Sequence, residues 1–212
     1  ILKSYLQDDF VGIGLMMYND KAGAAEFSNT QVALSASYNK DLSGEGIHYL
    51  SGGFQVGFGQ QAVNFGKLLF DSQFDGQNLN PNIASGENLT RENFMYLDMA
   101  GGLAWSYAPT QKSSFYAGVA VSHFNNPNMS FIEENENTLF TKWVIHGGFE
   151  VPITSGLSLI PRAVAIFQNP YTEYNVGGLL KFRVNPDYGD DYGQTAFYLG
   201  TMRRIGDAQI II

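Results

Sequence analysis

Between Phe94 and Phe124 the chain reads FMYLDMAGGLAWSYAPTQKSSFYAGVAVSHF, and strict alternation is its governing feature. Met95, Leu97, Met99, Leu103, Trp105 and Tyr107 fall on one parity, while Asp98, Ala100, Gly102, Ala104 and Ser106 fall on the other. After Pro109-Thr110-Gln111 the pattern resumes, with Phe115, Ala117, Val119 and Val121 opposed to Ser114, Gly118, Ala120 and Ser122. A period of two on both sides of a tight break predicts a long antiparallel hairpin. Its arms exceed the ~5–6 residues of an ordinary strand and match the ~9–11 that cross a bilayer at a tilt. One face is bulky and apolar; the other is small or polar. A soluble sandwich turns the bulky face inward, whereas a membrane barrel turns it to lipid and keeps the small residues inside.

The same alternation recurs along the chain. Val11, Ile13, Leu15 and Met17 oppose Gly12 and Gly14, and Val32, Leu34, Ala36 and Tyr38 oppose Ala33, Ser35 and Ser37. Further stretches follow at 47–59, 142–151, 157–168, 174–182 and 194–204, and another begins at Ala208. About ten strands and no helix are expected, in one domain over 1–212. Opening on Ile1 and ending on Ile210-Ile211-Ile212, the sequence is expected to lack terminal strands of the full barrel, together with any targeting segment. The links alternate between short and long, as in bacterial outer-membrane barrels with short periplasmic turns and long external loops. On that pattern 60–93 is a long outer loop and 125–138 a second one.

Composition narrows the function. There are no cysteines, which excludes disulfides and thiolate metal sites. A net charge of -8 without a basic stripe argues against nucleic acid as a partner. Mean hydropathy of -0.12 is what an alternating barrel averages to, and no run of ~18 apolar residues marks a transmembrane helix.

The polar residues Asp98, Lys142, His146, Glu150, Arg162, Glu173 and Lys181 share the parity opposite the large aliphatics. In a barrel they line the lumen and pair with one another; in a sandwich they are solvent-exposed. His48, His123 and His146 have no metal-ligand spacing, and no nucleophile elbow, phosphate loop or dinucleotide fingerprint is present. The reading is therefore non-enzymatic, without metal or cofactor. A hydrolase using Ser122 or Ser158 with His123 or His146 stands as a lesser alternative. The acidic runs Glu133-Glu134 with Glu136, and Asp187, Asp190 and Asp191, lack calcium-loop spacing. On the long loops Phe70, Asp71, Phe74, Asp75, Phe131, Glu133 and Glu134 are the candidates for partner contact, since exposed aromatics anchor interfaces.

Five stretches carry a family resemblance: GIGLMMYNDKAG (Gly12–Gly23), LLFDSQFDG (Leu68–Gly76), LDMAGGLAWSY (Leu97–Tyr107), FYAGVAVSHFNNPNMSF (Phe115–Phe131) and LSLIPRAVAIFQNPYTEYNVGG (Leu157–Gly178). Together they resemble the PorP/SprF family of Bacteroidetes outer-membrane proteins, associated with the type IX secretion system and gliding motility. The marks are the N-D-x-x-G turn, the F-D-x-Q loop, the V-S-H-F-x-x-P strand end and the L-x-P-R strand. The family's N-terminal N-P-A-Y-A-G-like stretch and its last strands are absent from this sequence. The resemblance implies an outer-membrane β-barrel that retains secreted cargo bearing a C-terminal sorting domain at the cell surface. It also implies periplasmic or lipoprotein partners from the secretion machine, and it supplies no catalytic residues. A barrel transporting a small solute, with Asp98, Glu150 and Arg162 tuning selectivity, is the other function class. A soluble sandwich acting as a binding module remains the other fold.

Overall fold

The computed structural model describes residues 2–3, 9–87, 91–110, 112–132, 137–184 and 195–206. They form ten strands: β1 (Leu2–Lys3), β2 (Phe10–Ala22), β3 (Phe27–Asp41), β4 (His48–Ala62), β5 (Asn93–Thr110), β6 (Ser113–Ser122), β7 (Lys142–Pro152), β8 (Leu157–Gln168), β9 (Tyr171–Arg183) and β10 (Ala196–Gly206). Each pairs antiparallel with its neighbours in sequence, giving one sheet in the order β1 to β10. Among the described residues the sheet is not closed. The strand expected from Ala208 onward lies outside those residues, as do Asn88-Leu89-Thr90 and the acidic 187–191 run.

The side chains decide between sandwich and barrel. Ile13 is 72% exposed, Met17 74% and Leu199 68%, and Leu34, Leu103 and Ile145 stand open on the same face. Among the described residues no second layer covers them. Among the described residues only Ala33, Phe94, Tyr96 and Ile160 are buried apolar residues, far too few for a soluble core. At the end carrying the short turns, Trp105, Tyr107, Phe115 and Phe149 form a row of stacked rings with centroids 6.1–6.4 Å apart. At the opposite end Phe167 packs edge-on to Tyr174 beside Trp143. An apolar belt between aromatic girdles is the lipid-facing surface of a transmembrane barrel.

The other face is concave. Gly12, Gly14, Ser35, Ser37, Gly53 and Gly102 floor a depression of about 440 Å³ across β2–β6. One glycine there has a steric reason. Gly59 lies opposite Tyr96, and a Cβ on it would stand 2.1 Å from the Tyr96 ring, whose hydroxyl accepts a hydrogen bond from Gln31 Nε2 at 2.9 Å. The ring thus fills the space a side chain would take, as when aromatics cover sheet glycines. Gly59→Ala is expected to lower the unfolding free energy by about 1–3 kcal/mol through overpacking, read as a shifted urea midpoint in lipid vesicles. An unmoved midpoint would mean the ring swings aside freely.

Several strands run further than alternation predicts. β2 and β3 continue through Asn19–Ala22 and Phe27–Gln31, where apolar alternation has lapsed. The ladder is kept there by polar cross-strand pairing such as Asn19 Nδ2 to Thr30 Oγ1 at 2.7 Å. Beyond the bilayer both faces are wet, so hydrophobic alternation no longer reports strand. Pro161 sits mid-strand in β8, and the β7–β8 register skips from Gly148–Arg162 to Val151–Leu159 around it. Proline cannot donate to the ladder, which accounts for the gap.

Candidate functional site

The long-loop end is an ordered rim. Residues 63–92 leave β4 through two short 3-10 turns, Phe65–Lys67 and Asp71–Gln73. Gln73 is buried and staples the segment: its carbonyl accepts the Phe70 N–H (3.0 Å) while its amide donates to the Ile83 carbonyl (2.8 Å). The Ser72 hydroxyl donates to the Ser85 carbonyl at 2.6 Å, and Phe74 forms an isolated bridge with Leu79. This is the work of the F-D-x-Q sequence. It leaves Phe70 half-buried but presents Asp71, Phe74 and Asp75 outward, Phe74 being 54% exposed. Asp75 accepts the N–H groups of Asn78 and Gln77, which hold its carboxyl below the usual carboxylate range.

The second loop is tied to the first. Phe131 packs edge-on against Phe94 (4.8 Å), Phe27 and Phe65 (6.3 Å each), so its ring joins both long loops to the β2–β3 turn. Glu26 in that turn bridges Lys67 at 2.7 Å and Lys21 at 3.2 Å. Its carboxyl is held low by Lys67 first and then Lys21. Glu133 and Glu134 lie outside the described residues. The V-S-H-F-x-x-P sequence ends β6: His123 takes a left-handed conformation (φ 57°), and the Asn125 side chain replaces a backbone partner for β5. That side chain donates to the Leu97 carbonyl (2.7 Å) and accepts the Met99 N–H (3.0 Å).

On the inner face the register places Asp98, Lys142, His146, Glu150, Arg162, Glu173 and Lys181 together, opposite the exposed aliphatics. They do not form one cluster. Asp98 pairs with His123 Nδ1 at 2.8 Å, and His146 lies against Tyr116 above Gly118. Glu150 accepts from Lys181 (3.0 Å) and from Arg183, spanning two strands across β8. The strand between offers Ser158, fully buried, whose hydroxyl accepts from Arg183 Nη1 at 2.8 Å. Glu173 pairs with Arg204. Lys142 and Arg162 have no ion pair among the described residues. Alternation alone did not single out Arg183, Arg204, Gln73 or Asn125; strand register brings the two arginines to their partners, and loop folding brings Gln73 and Asn125 to theirs.

Ser158 is consumed by Arg183, and His123 and His146 face Asp98 and Tyr116. Among the described residues no group of three or more His, Asp and Glu side chains could hold a metal ion.

Asp9, just before β2 at the short-turn end, accepts hydrogen bonds from Tyr38 (2.5 Å), Lys40 (2.9 Å) and the Asp41 N–H (2.9 Å). These bonds, Tyr38 first, bring its pKa down to about 2. Because the folded value is depressed, this tie is complete above the ordinary carboxylate pKa near ~3.9. It is lost as pH falls through about 2. Amide exchange at the start of β2, taken relative to the intrinsic rate at each pH, should quicken across that window in the wild type. In Asp9→Asn it should already be fast at neutral pH; identical profiles would remove the carboxylate from the account.

Lipid-facing aliphatics between aromatic girdles, a concave polar face and structured loops at one end define an outer-membrane β-barrel protein. Residues 2–211 match the family described as type IX secretion system membrane protein PorP/SprF, and the chain belongs to that family. It is thus a membrane component of the type IX secretion system, seated in the outer membrane. No curated protein and no solved structure matched the chain.

Proposed function

We propose that the protein retains a secreted partner bearing a C-terminal sorting domain at the cell surface, using the long-loop rim as its grip. The orientation follows the barrel rule that long loops face outside and short turns face the periplasm. On this reading 60–93 and 125–138 are the outer loops, and Asp98, Lys142, His146, Glu150, Arg162, Glu173 and Lys181 line the lumen. The short-turn end is left to periplasmic or lipoprotein components of the secretion and gliding machinery.

The observation that carries the proposal is Phe74, held out between Asp71 and Asp75 by a loop whose buried Gln73 fixes its shape. An exposed aromatic on a preorganised loop loses little entropy when a partner covers it, the usual condition for an interface anchor. Phe70, half-buried, supports it from below. Phe131 acts by holding the two loops together, and Glu133 and Glu134, which follow it in the sequence, are proposed as further contacts.

Deleting 72–86 and bridging Asp71 to Glu87 with Gly-Ser should abolish cargo display in the native host. The barrel itself should still show heat-modifiable migration on gels. Surface labelling of the cargo checks the first outcome, and display that survives the deletion would sink the proposal. A conducting pore in planar bilayers, with ion selectivity that follows Arg162, would support solute transport instead.

A further inference from the structure

Arg91 stands where the first long loop enters β5. Its backbone N–H donates to the Phe131 carbonyl at 3.1 Å, so the residue is fixed at the seam between the two loops. Its side chain borders a crevice of about 250 Å³, with Phe94, Tyr96, Asn125, Asn128 and Ser130 among the walls. Among the described residues, Arg91 Nε is the buried side-chain nitrogen or oxygen that makes no hydrogen bond. Neither an ion pair nor a hydrogen bond engages the rest of its guanidinium there. A guanidinium is permanently charged, and a buried donor left unpaired is costly, so such a group calls for a reason.

The other polar walls are already engaged. The Asn125 amide is spent on Leu97 and Met99. The Ser130 hydroxyl donates to the Ile132 carbonyl and accepts the Ile132 N–H. The Asn128 carbonyl accepts the N–H groups of Ser130 and Asn137. What the crevice offers a ligand is the single positive charge of Arg91 beside aromatic walls. One cation, with no second among the lining residues, balances one monoanion such as a carboxylate on an apolar body.

We infer that the Arg91 crevice is a carboxylate-binding site, taking one acidic side chain or terminal carboxyl of a protein partner. That the carboxylate belongs to the retained cargo rests on the function proposed above; the ligand chemistry of the crevice does not. The competing occupant is an acid of this chain, since Glu133, Glu134 and Glu136 follow Phe131 in the same loop.

The test uses the full barrel in detergent with nitrogen-15 arginine, assigning the Arg91 Nε–H signal by its loss in Arg91→Lys. Four probes are titrated: N-acetylphenylalanine, its amide, N-acetylaspartate amide and inorganic phosphate. The site predicts a saturable shift with N-acetylphenylalanine, N-acetylaspartate amide or both, the responding acid telling terminal from side-chain carboxyl. Calorimetric affinity for that acid should fall at least about tenfold in Arg91→Gln. The inference is overturned by an equal response to the neutral amide, by preference for phosphate, or by undiminished affinity in Arg91→Gln. It is also overturned if Glu133→Gln, Glu134→Gln and Glu136→Gln together move the Arg91 signal before any probe is added. Carboxylate binding that persists while the loop deletion leaves cargo display intact would leave the crevice standing and remove the cargo.

Discussion

Replacing Glu150 by leucine is expected to lower the unfolding free energy by about 3–5 kcal/mol, the usual consequence of stripping one partner from a buried ion pair. The side chain of Arg183 is 3% exposed and rests on fully buried Ser158, and among the described residues Glu150 is the anion that pairs with it. Lys181, at 19% exposure, can turn toward water on the inner face and contributes less. The companion variant Glu150→Leu with Arg183→Met removes both ends of the buried pair and should recover more than half of the loss, because a matched apolar pair carries no stranded charge. Urea unfolding of the three proteins in lipid vesicles measures this. If Glu150→Leu alone leaves the midpoint in place, the β7–β9 tie is ornamental.

Leu34→Arg is expected to destabilise the inserted barrel by about 2–4 kcal/mol, the penalty for arginine on the lipid face near mid-depth. Leu34 is 62% exposed, at the centre of β3 and flanked on the same face by Leu15 and Val56. In water, a substitution at so open a position would change stability by less than about 0.5 kcal/mol. The size of the effect therefore measures the solvent that this face meets. Gln55→Lys, on the opposite face of neighbouring β4, should be tolerated, since the lumen accommodates charge. Equal tolerance of both changes would be incompatible with a lipid-facing Leu34.

The architecture was legible because a strand crossing a bilayer must alternate for its whole transit. The hairpin from Met95 to Val121 announced both its length and its two faces, and β5 and β6 occupy that stretch. The strand extensions at Asn19–Ala22 and Phe27–Gln31 were not legible, because residues wetted on both sides carry no hydrophobic period. Parity also grouped the seven polar residues on one face, yet it said nothing about which of them meet. Glu150 finds Lys181 and Arg183 only because the β7–β8 and β8–β9 registers bring β9 beside it across a small Ser158. Of the loop candidates, Phe74 and Phe131 look alike in sequence. Gln73 holds one outward, and three rings remote in the chain, Phe27, Phe65 and Phe94, take in the other. Long-range packing of that kind leaves no local trace.

The ring row from Trp105 through Tyr107 and Phe115 to Phe149 has a mechanical consequence. Amphipathic rings settle at the headgroup level and resist being drawn into either hydrocarbon or water. Two such rings, Trp105 and Tyr107, extended by the phenyl rings of Phe115 and Phe149 over three strands, act as a waterline, setting the draught at which the protein rides. Pulling on whatever the rim holds would therefore load the whole hull, and the tether's height above the cell would stay constant while the force varied.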